Sequence, residues 1–158
     1  MPAYLEIHVG EPVEVDVELR PGRLRVSIRR REVGDDGGFT LELSGAVAGE
    51  PTELLRFDLF RRDPHYHVPA SNPTQIDLDP ARDGEPLEFA LACIRERLPE
   101  LLARAKYPEL ARSVEASGAS ALADLASRVR EAVKSAPEPS SSYRIELPPA
   151  AAPSRPER

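Results

Sequence analysis

The chain is organised around one segment, which reads Leu55-Arg56-Phe57-Asp58-Leu59-Phe60-Arg61-Arg62-Asp63-Pro64-His65-Tyr66-His67. Its first half alternates apolar and polar side chains, and this alternation predicts a half-buried β-strand over residues 54–61. Asp63-Pro64 then predicts a turn, and a short extended stretch follows it. Strand periodicity dominates the sequence before this segment, whereas helical periodicity dominates soon after it.

The sequence before and around this segment predicts an antiparallel meander of five to six strands within residues 3–79. Its clearest hairpin is centred on Pro21-Gly22, a dipeptide typical of turns. A tight turn there pairs Val17 with Val26 on the apolar face and Glu14 with Arg29 on the polar face.

Three consecutive basic residues, Arg29-Arg30-Arg31, follow this hairpin. Because the predicted register gives Arg29 the carboxylate of Glu14 as its partner, we interpret the triplet as strand-edge residues rather than as a phosphate site. A phosphate site remains the alternative.

Helical periodicity begins after the predicted sheet, with apolar residues at three- and four-residue steps. Pro99 lies inside the first helical pattern and predicts a kink or a break there. The fold class expected is α+β: an antiparallel β-meander with C-terminal helices packed on one face, followed by a disordered Pro-rich tail. The predicted boundaries are an α+β domain over 1–116, with its sheet at 3–79 and a helix at 86–105, an additional amphipathic helix at 117–136, and the tail at 137–158.

The tail has a composition that is typical of disorder, with six prolines among residues 137–158. Residues 143–147 are the exception, because Tyr143, Ile145 and Leu147 alternate with charged residues as in a strand. This segment is either a chance fragment of a disordered tail or a strand that adds to the edge of a sheet in this chain or in a partner.

Composition limits the classes of function. The chain has 158 residues and a formal charge of −6, and the acidic excess lies entirely within residues 1–84. A broad nucleic-acid-binding surface is therefore not expected.

Cys93 is the single cysteine, so no intrachain disulfide can form, and we predict a buried, unreactive thiol. No apolar run is long enough to span a membrane, and we expect a cytoplasmic protein.

The residues able to do chemistry cluster just past the predicted strand. His65 and His67 would share one face of an extended chain, a spacing that suits a divalent metal or a general acid–base pair. We name His65, His67 and Asp63 as candidate catalytic residues, and Arg56, Asp58 and Tyr66 as candidate ligand-binding residues. No cofactor is expected, although a divalent metal at His65 and His67 stays open.

A third metal ligand has no diagnostic spacing in the sequence. The residues that could supply one are Asp58, Asp63, His8, Asp77 and Asp79. The opposite interpretation also stays open: the two histidines could be half-buried loop residues that hydrogen-bond to Asp63 and to the backbone.

Parts of this region resemble known proteins. The chain resembles a family of small bacterial proteins of unknown function over about residues 10–115. The resemblance is carried by Leu54–Phe60, Pro64–His67, Glu85-Pro86-Leu87 and Arg97–Leu102. It implies no activity. The Arg-aromatic-Asp strand, the Pro-His-X-His segment and the following helix are more distantly similar to the TumE-type toxins of toxin–antitoxin pairs. The Asn and further His associated with that group after the Asp are missing here, where Leu59 and Phe60 follow Asp58.

Two classes of function follow. The first is a small cytoplasmic bacterial binding or accessory module that acts through Arg56, Asp58, His65 and His67 or through the tail. The alternative, which the toxin resemblance implies, is an enzyme that cleaves RNA or modifies nucleotides with His65 and His67 as acid and base. A binding module is preferred to an enzyme. A protein partner or a second copy of the chain could bind through residues 120–134 or 143–147.

Overall fold

The longest strands lie at the centre of the sheet, and the shorter strands lie toward its two edges. A computed structural model describes residues 2–148 of the chain. Within this range the structure has eight strands in one antiparallel sheet: β1 (Tyr4–Val9), β2 (Val13–Glu18), β3 (Arg23–Val33), β4 (Asp36–Val47), β5 (Glu50–Phe60), β6 (His65–His67), β7 (Ile76–Asp77) and β8 (Ser141–Glu146). Their order is β7-β6-β5-β4-β3-β1-β8, and β2 pairs with β3 beside β1.

The helices lie between β7 and β8 in the sequence. They are α1 (Pro80–Asp83), α2 (Pro86–Ala92), α3 (Leu98–Arg104) and α4 (Pro108–Ser135), and a π-helical turn (Cys93–Arg97) joins α2 to α3. Helix α4 packs against β2 and β3, and α2 packs against β5. An antiparallel sheet with helices on one face confirms the α+β class, although the sheet has eight strands rather than five or six.

The core lies between the helices and one face of the sheet, and the alternation of the strands decides which side chains enter it. Leu55, Phe57 and Leu59 of β5 are buried there, as their periodicity predicts. Other fully buried members from the strands and helices are Leu24, Ile28, Leu41, Leu43, Leu54, Leu91, Ile94, Leu98, Leu101 and Leu102.

Pro99 interrupts helical hydrogen bonding where the sequence predicts it. Proline lacks the N–H that would bond to Arg95, and its ring crowds that carbonyl. The chain adapts through the π-helical turn, and Pro99 then occupies the first turn of α3, where its missing N–H costs nothing. A second interruption lies inside α4, which is kinked at Gly118 because the φ of 90° and ψ of 163° of this residue are not helical.

The hairpin at Pro21-Gly22 has a different register from the one expected. Val15 pairs with Val26 and Asp16 with Arg25, so the predicted pairing of Val17 with Val26 is wrong by two residues. The cause is a longer connection: Leu19 leaves the strand and is buried, and its N–H bonds to the carbonyl of Gly22. A shift by two residues keeps each side chain on its expected face.

The C-terminal segment differs from the predicted disordered tail in residues 141–146. These residues form β8, which pairs with β1 and aligns Ile7 with Tyr143 and Leu5 with Ile145. The strand suggested for 143–147 therefore overlaps an observed strand within this chain. Residues 149–158 of the predicted tail lie outside the described residues.

Candidate functional site

The sheet face opposite the helices carries a cluster of polar residues from β3, β4, β5 and β6. Paired residues on neighbouring antiparallel strands share a face, and Asp58 pairs with both Thr40 and His65. Arg56 pairs with His67 next to them. The members of this polar cluster are Arg29, Arg31, Thr40, Glu42, Arg56, Asp58, His65 and His67.

Asp58 lies at the centre of the polar cluster and is only 4% exposed. Its two carboxylate oxygens have different neighbours. Oδ1 accepts hydrogen bonds from the Thr40 hydroxyl at 2.9 Å and from Nη1 of Arg31 at 3.5 Å. Oδ2 faces Nε2 of His65 at 3.1 Å and Nε2 of His67 at 3.6 Å.

These contacts shift the pKa values of Asp58 and His65. Burial acts to raise the pKa of Asp58, but hydrogen bonds with His65 and Thr40 and the charge of Arg56 outweigh it, and the pKa lies below its ordinary value. Burial acts to lower the pKa of His65, but its bonds to Asp58 and to the backbone of Asp63 outweigh that effect and raise the pKa. The carboxylate is therefore ionised at neutral pH despite its burial.

Both histidine rings are fixed in orientation by backbone carbonyls. Nδ1 of His65 lies 2.8 Å from the carbonyl oxygen of Asp63, and Nδ1 of His67 lies 2.8 Å from that of Asn72. A carbonyl oxygen only accepts hydrogen bonds, so each Nδ1 carries a proton. Each Nε2 is consequently turned toward Asp58, with a free lone pair in the neutral form of the ring.

The turn between β5 and β6, which precedes the two histidines, is held by a carboxylate from β4. Asp36, at the start of β4, accepts hydrogen bonds from the backbone N–H groups of Gly37, Arg62 and Asp63 at 2.8, 2.8 and 3.0 Å. The backbone bonds lower the pKa of Asp36 although burial acts to raise it. This carboxylate fixes the connection between β5 and β6, and thereby the position of His65.

Three arginines border a groove beside the polar cluster. The groove has a volume of about 370 Å³ and is lined by Val9, Arg29, Arg31, Glu42, Arg56, Ser141 and Tyr143. Glu42 lies 3.2 Å from Arg56 and 3.8 Å from Arg29. The expected partnership of Arg29 with Glu14 is wrong, because Ser27 is the residue that pairs with Glu14 across the hairpin.

Two of these arginines retain buried donors. Within the described chain, Nε of Arg29 and Nε of Arg56 are buried and have no hydrogen-bond partner. Nε of Arg56 lies 3.5 Å from Asp58 Oδ1, close enough for an ion pair, but its geometry does not make a hydrogen bond. Buried donors without partners are uncommon in proteins, so these two Nε groups are an unusual feature of the arginines beside the groove.

The structure brings together four of the residues named from the sequence: Arg56, Asp58, His65 and His67. Asp63 lies at the edge of the cluster, where its carbonyl orients His65 and its exposed carboxylate accepts a hydrogen bond from Gln75. Among residues 2–148, the metal-competent group of His, Cys, Asp and Glu side chains consists of Asp58, His65 and His67, and the alternative ligands His8, Asp77 and Asp79 are not part of it.

Tyr66 lies on the other face of the sheet. Its ring stacks on Phe57 with centroids 5.3 Å apart and contacts Phe89 at 5.5 Å, so it belongs to the core and not to the polar cluster. Phe60 instead lies on the polar face, with the Arg31 guanidinium 5.8 Å from its centroid.

The sequence did not indicate Thr40 and Glu42 as members of the site, and it offered Arg29 and Arg31 only as an alternative phosphate site, separate from the histidines. The signal that could have found the two arginines is their spacing, because residues i and i+2 of a strand share a face. Thr40 and Glu42 required the register between β4 and β5, which no turn signal in the sequence determined.

The fold and the site define an α+β domain with a polar sheet face that combines a buried carboxylate, two oriented imidazoles and three arginines. The chain belongs to a family described as a domain of unknown function, DUF7700, whose model matches residues 18–132. The match includes every member of the polar cluster. No curated protein and no solved structure matches the chain. None of the helices in residues 2–148 has the length and apolar character needed to cross a membrane.

Proposed function

We propose that the chain is a small-ligand-binding module that takes up an oxyanion, a carboxylate or a phosphate, in the groove beside the polar cluster. The observation that carries this proposal is the convergence of Arg29, Arg31 and Arg56 on one groove of about 370 Å³. A guanidinium binds oxyanions through parallel N–H donors, and this geometry favours carboxylate and phosphate over other ligands.

Donors exceed acceptors in the groove. Each guanidinium offers several N–H groups, whereas Glu42 and Asp58 are the carboxylates that contact these three arginines most closely, at 3.2 to 3.8 Å. Glu53 adds a contact to Arg56 at 3.9 Å. The contacts hold the guanidinium groups in place without using all of their donors, and an incoming oxyanion gains from donors that are already positioned.

The alternative, an enzyme that cleaves RNA, requires histidines that a substrate can reach. An acid–base pair needs a ring nitrogen within reach of the substrate. Nδ1 of His65 bonds to the Asp63 carbonyl, its Nε2 points into the sheet toward the Asp58 carboxylate at 3.1 Å, and the residue is 7% exposed. The geometry therefore supports binding better than RNA cleavage, and the toxin-like activity stays the alternative prediction.

Isothermal titration calorimetry of the purified chain with inorganic phosphate and with succinate, at constant ionic strength, tests the proposal. We expect saturable binding of at least one of them, and Arg29→Gln and Arg56→Gln should each weaken it about tenfold or more. Arg30→Gln is the matched control, since this neighbour points to the opposite face, where it lies over Phe39 and donates to the Ala136 carbonyl. Equal affinity in all three variants, or no binding by the folded chain, overturns the proposal.

An RNA-cleavage assay separates the two classes. Incubation of the chain with a structured RNA and a single-stranded RNA should give no cleavage above that of a buffer control. Cleavage that is lost in both His65→Ala and His67→Ala would replace the binding module with the enzyme.

The expected surroundings of the module are the cytoplasm of a bacterium, in keeping with a single cysteine whose thiol is buried. Of the two segments predicted to bind a partner, residues 120–134 direct their apolar stripe into the core, where Leu122, Leu125 and Val129 are buried. Residues 143–147 keep Tyr143 and Ile145 about half exposed. Residues 143–147 thus remain the segment at which a protein partner or a second copy is expected.

A further inference from the structure

Two imidazole lone pairs and one carboxylate oxygen converge at a single point on the polar face. Because each Nδ1 donates to a backbone carbonyl, Nε2 of His65 and Nε2 of His67 are the free nitrogens of the neutral rings. Both face Oδ2 of Asp58, at 3.1 and 3.6 Å. Lone pairs at these distances repel one another, so the arrangement requires a positive charge among the three atoms: a proton on a ring or a metal cation.

We propose that Asp58, His65 and His67 bind a divalent first-row transition-metal ion through Oδ2 and the two Nε2 atoms. Ligand atoms that are each about 2.0–2.1 Å from a tetrahedral metal lie about 3.3 Å apart. The two observed separations bracket this value, and all three ligand atoms lie within 4.8 Å of one another. Two of the three separations between ligand atoms therefore already match a tetrahedral site.

The surroundings of the three ligands match those of metal sites in proteins. A ligating histidine usually donates its other ring N–H to a carbonyl or a carboxylate, and a ligating carboxylate is hydrogen-bonded in turn. Both features are present: backbone carbonyls orient His65 and His67, and the Thr40 hydroxyl binds Oδ1 of Asp58. Arg31 and Arg56 also contact Oδ1, the oxygen that does not face the imidazoles.

The ligand set indicates the kind of ion. Two imidazoles and one carboxylate suit zinc, iron, nickel or copper, whereas magnesium and calcium prefer oxygen ligands. Three protein ligands leave at least one coordination position for water or another ligand, as in catalytic zinc sites. This inference does not depend on the proposed oxyanion binding, which uses the arginines of the adjacent groove.

Calorimetry with metal alone tests the site in the full chain, purified without a histidine tag and stripped with a chelator. We expect one Zn²⁺ per chain and a rise in melting temperature with Zn²⁺, since a cation that binds only the native state stabilises it. Mg²⁺ should produce neither effect. His67→Gln should raise the Kd for Zn²⁺ at least about 100-fold, beyond the 10–100-fold typical of losing an outer-shell partner.

His8→Gln is the matched control, because this third histidine is exposed on β1 and does not belong to the cluster. Its Kd for Zn²⁺ should equal that of the unaltered chain. A Zn²⁺ site that survives His67→Gln, or that disappears in His8→Gln, overturns the proposal.

A second measurement does not depend on any variant. Co²⁺ in a four-coordinate site of nitrogen and oxygen ligands absorbs visible light far more strongly than hydrated Co²⁺. We expect such a spectrum from the unaltered chain, saturating at one Co²⁺ per chain and abolished by excess Zn²⁺. If the folded chain binds neither ion, the positive charge between Asp58 and the histidines is a proton and the metal site does not exist.

Discussion

Thr40 donates its hydroxyl proton to Oδ1 of Asp58 across 2.9 Å, between the neighbouring strands β4 and β5. Both side chains are buried, with exposed fractions of 0% and 4%. Because one oxygen of the carboxylate is held by this bond, the other is left to face His65 and His67. The Thr40–Asp58 bond therefore positions the centre of the polar cluster.

Replacing Thr40 with valine should destabilise the chain by about 1–3 kcal/mol, since it keeps the shape of the side chain and leaves a buried carboxylate oxygen without its closest donor. Urea unfolding followed by circular dichroism measures the change. Thr74→Val is the control, because Thr74 is exposed in the loop before β7, and its effect should stay within about 0.5 kcal/mol. Equal effects at the two positions would show that the Thr40 bond contributes nothing.

Asp36→Asn should also destabilise the chain, by about 1–3 kcal/mol at pH 7, because an ionised carboxylate accepts backbone hydrogen bonds more strongly than an amide does. Gly37, Arg62 and Asp63 supply those bonds. Unfolding free energies of the two proteins at pH 7 provide the measurement.

The same pair of proteins makes a prediction about pH. The pKa of Asp36 is lower in the folded chain than its ordinary value. Its contribution to stability is then fully present above the unfolded pKa, about 3.9, and is lost as the pH falls through the folded pKa. The difference between the unaltered chain and Asp36→Asn should shrink below about pH 4. A difference that stays constant down to pH 2 would contradict this role of the carboxylate.

The thiol of Cys93 should be unreactive in the folded chain. It is 1% exposed, and burial, partly offset by Arg97, raises its pKa to about 11, so almost no thiolate exists at neutral pH. Iodoacetamide at pH 7.5 should label the native chain at least about 100-fold more slowly than the chain in denaturant. Mass spectrometry of the labelled protein reads both rates, and comparable rates would mean that the helix around Cys93 opens readily.

Much of the fold follows from periodicity, as β5 illustrates. Strict alternation is enough to place Leu55, Phe57 and Leu59 in the core and Arg56 and Asp58 on the other face. The hairpin at Pro21-Gly22 marks the limit of that reasoning. Alternation determines the face of each residue, but the number of residues in the connection determines the register, and burial of Leu19 lengthened that connection.

The polar cluster was predictable only in part for the same reason. Proximity in sequence, together with alternation, joined Arg56, Asp58, His65 and His67, which lie on one β-hairpin. Arg29 and Arg31 come from β3, two strands away, and their approach depends on two registers at once. The mistaken register assigned Arg29 to Glu14, and a phosphate site at Arg29-Arg30-Arg31 was therefore only the alternative interpretation.

Gly10 provides the sharpest test of the C-terminal strand. A Cβ at this position would lie 2.6 Å from the carbonyl oxygen of Pro137, which leads into β8, so Gly10→Ala forces one segment to move. We expect a loss of about 1–3 kcal/mol in the full chain, the usual cost of overpacking. The same substitution in a chain that ends at Ala136 meets no such carbonyl and should cost far less. Unfolding free energies of the four proteins form a double-mutant cycle, and a coupling near zero would show that the segment from Pro137 into β8 does not pack against Gly10 in solution.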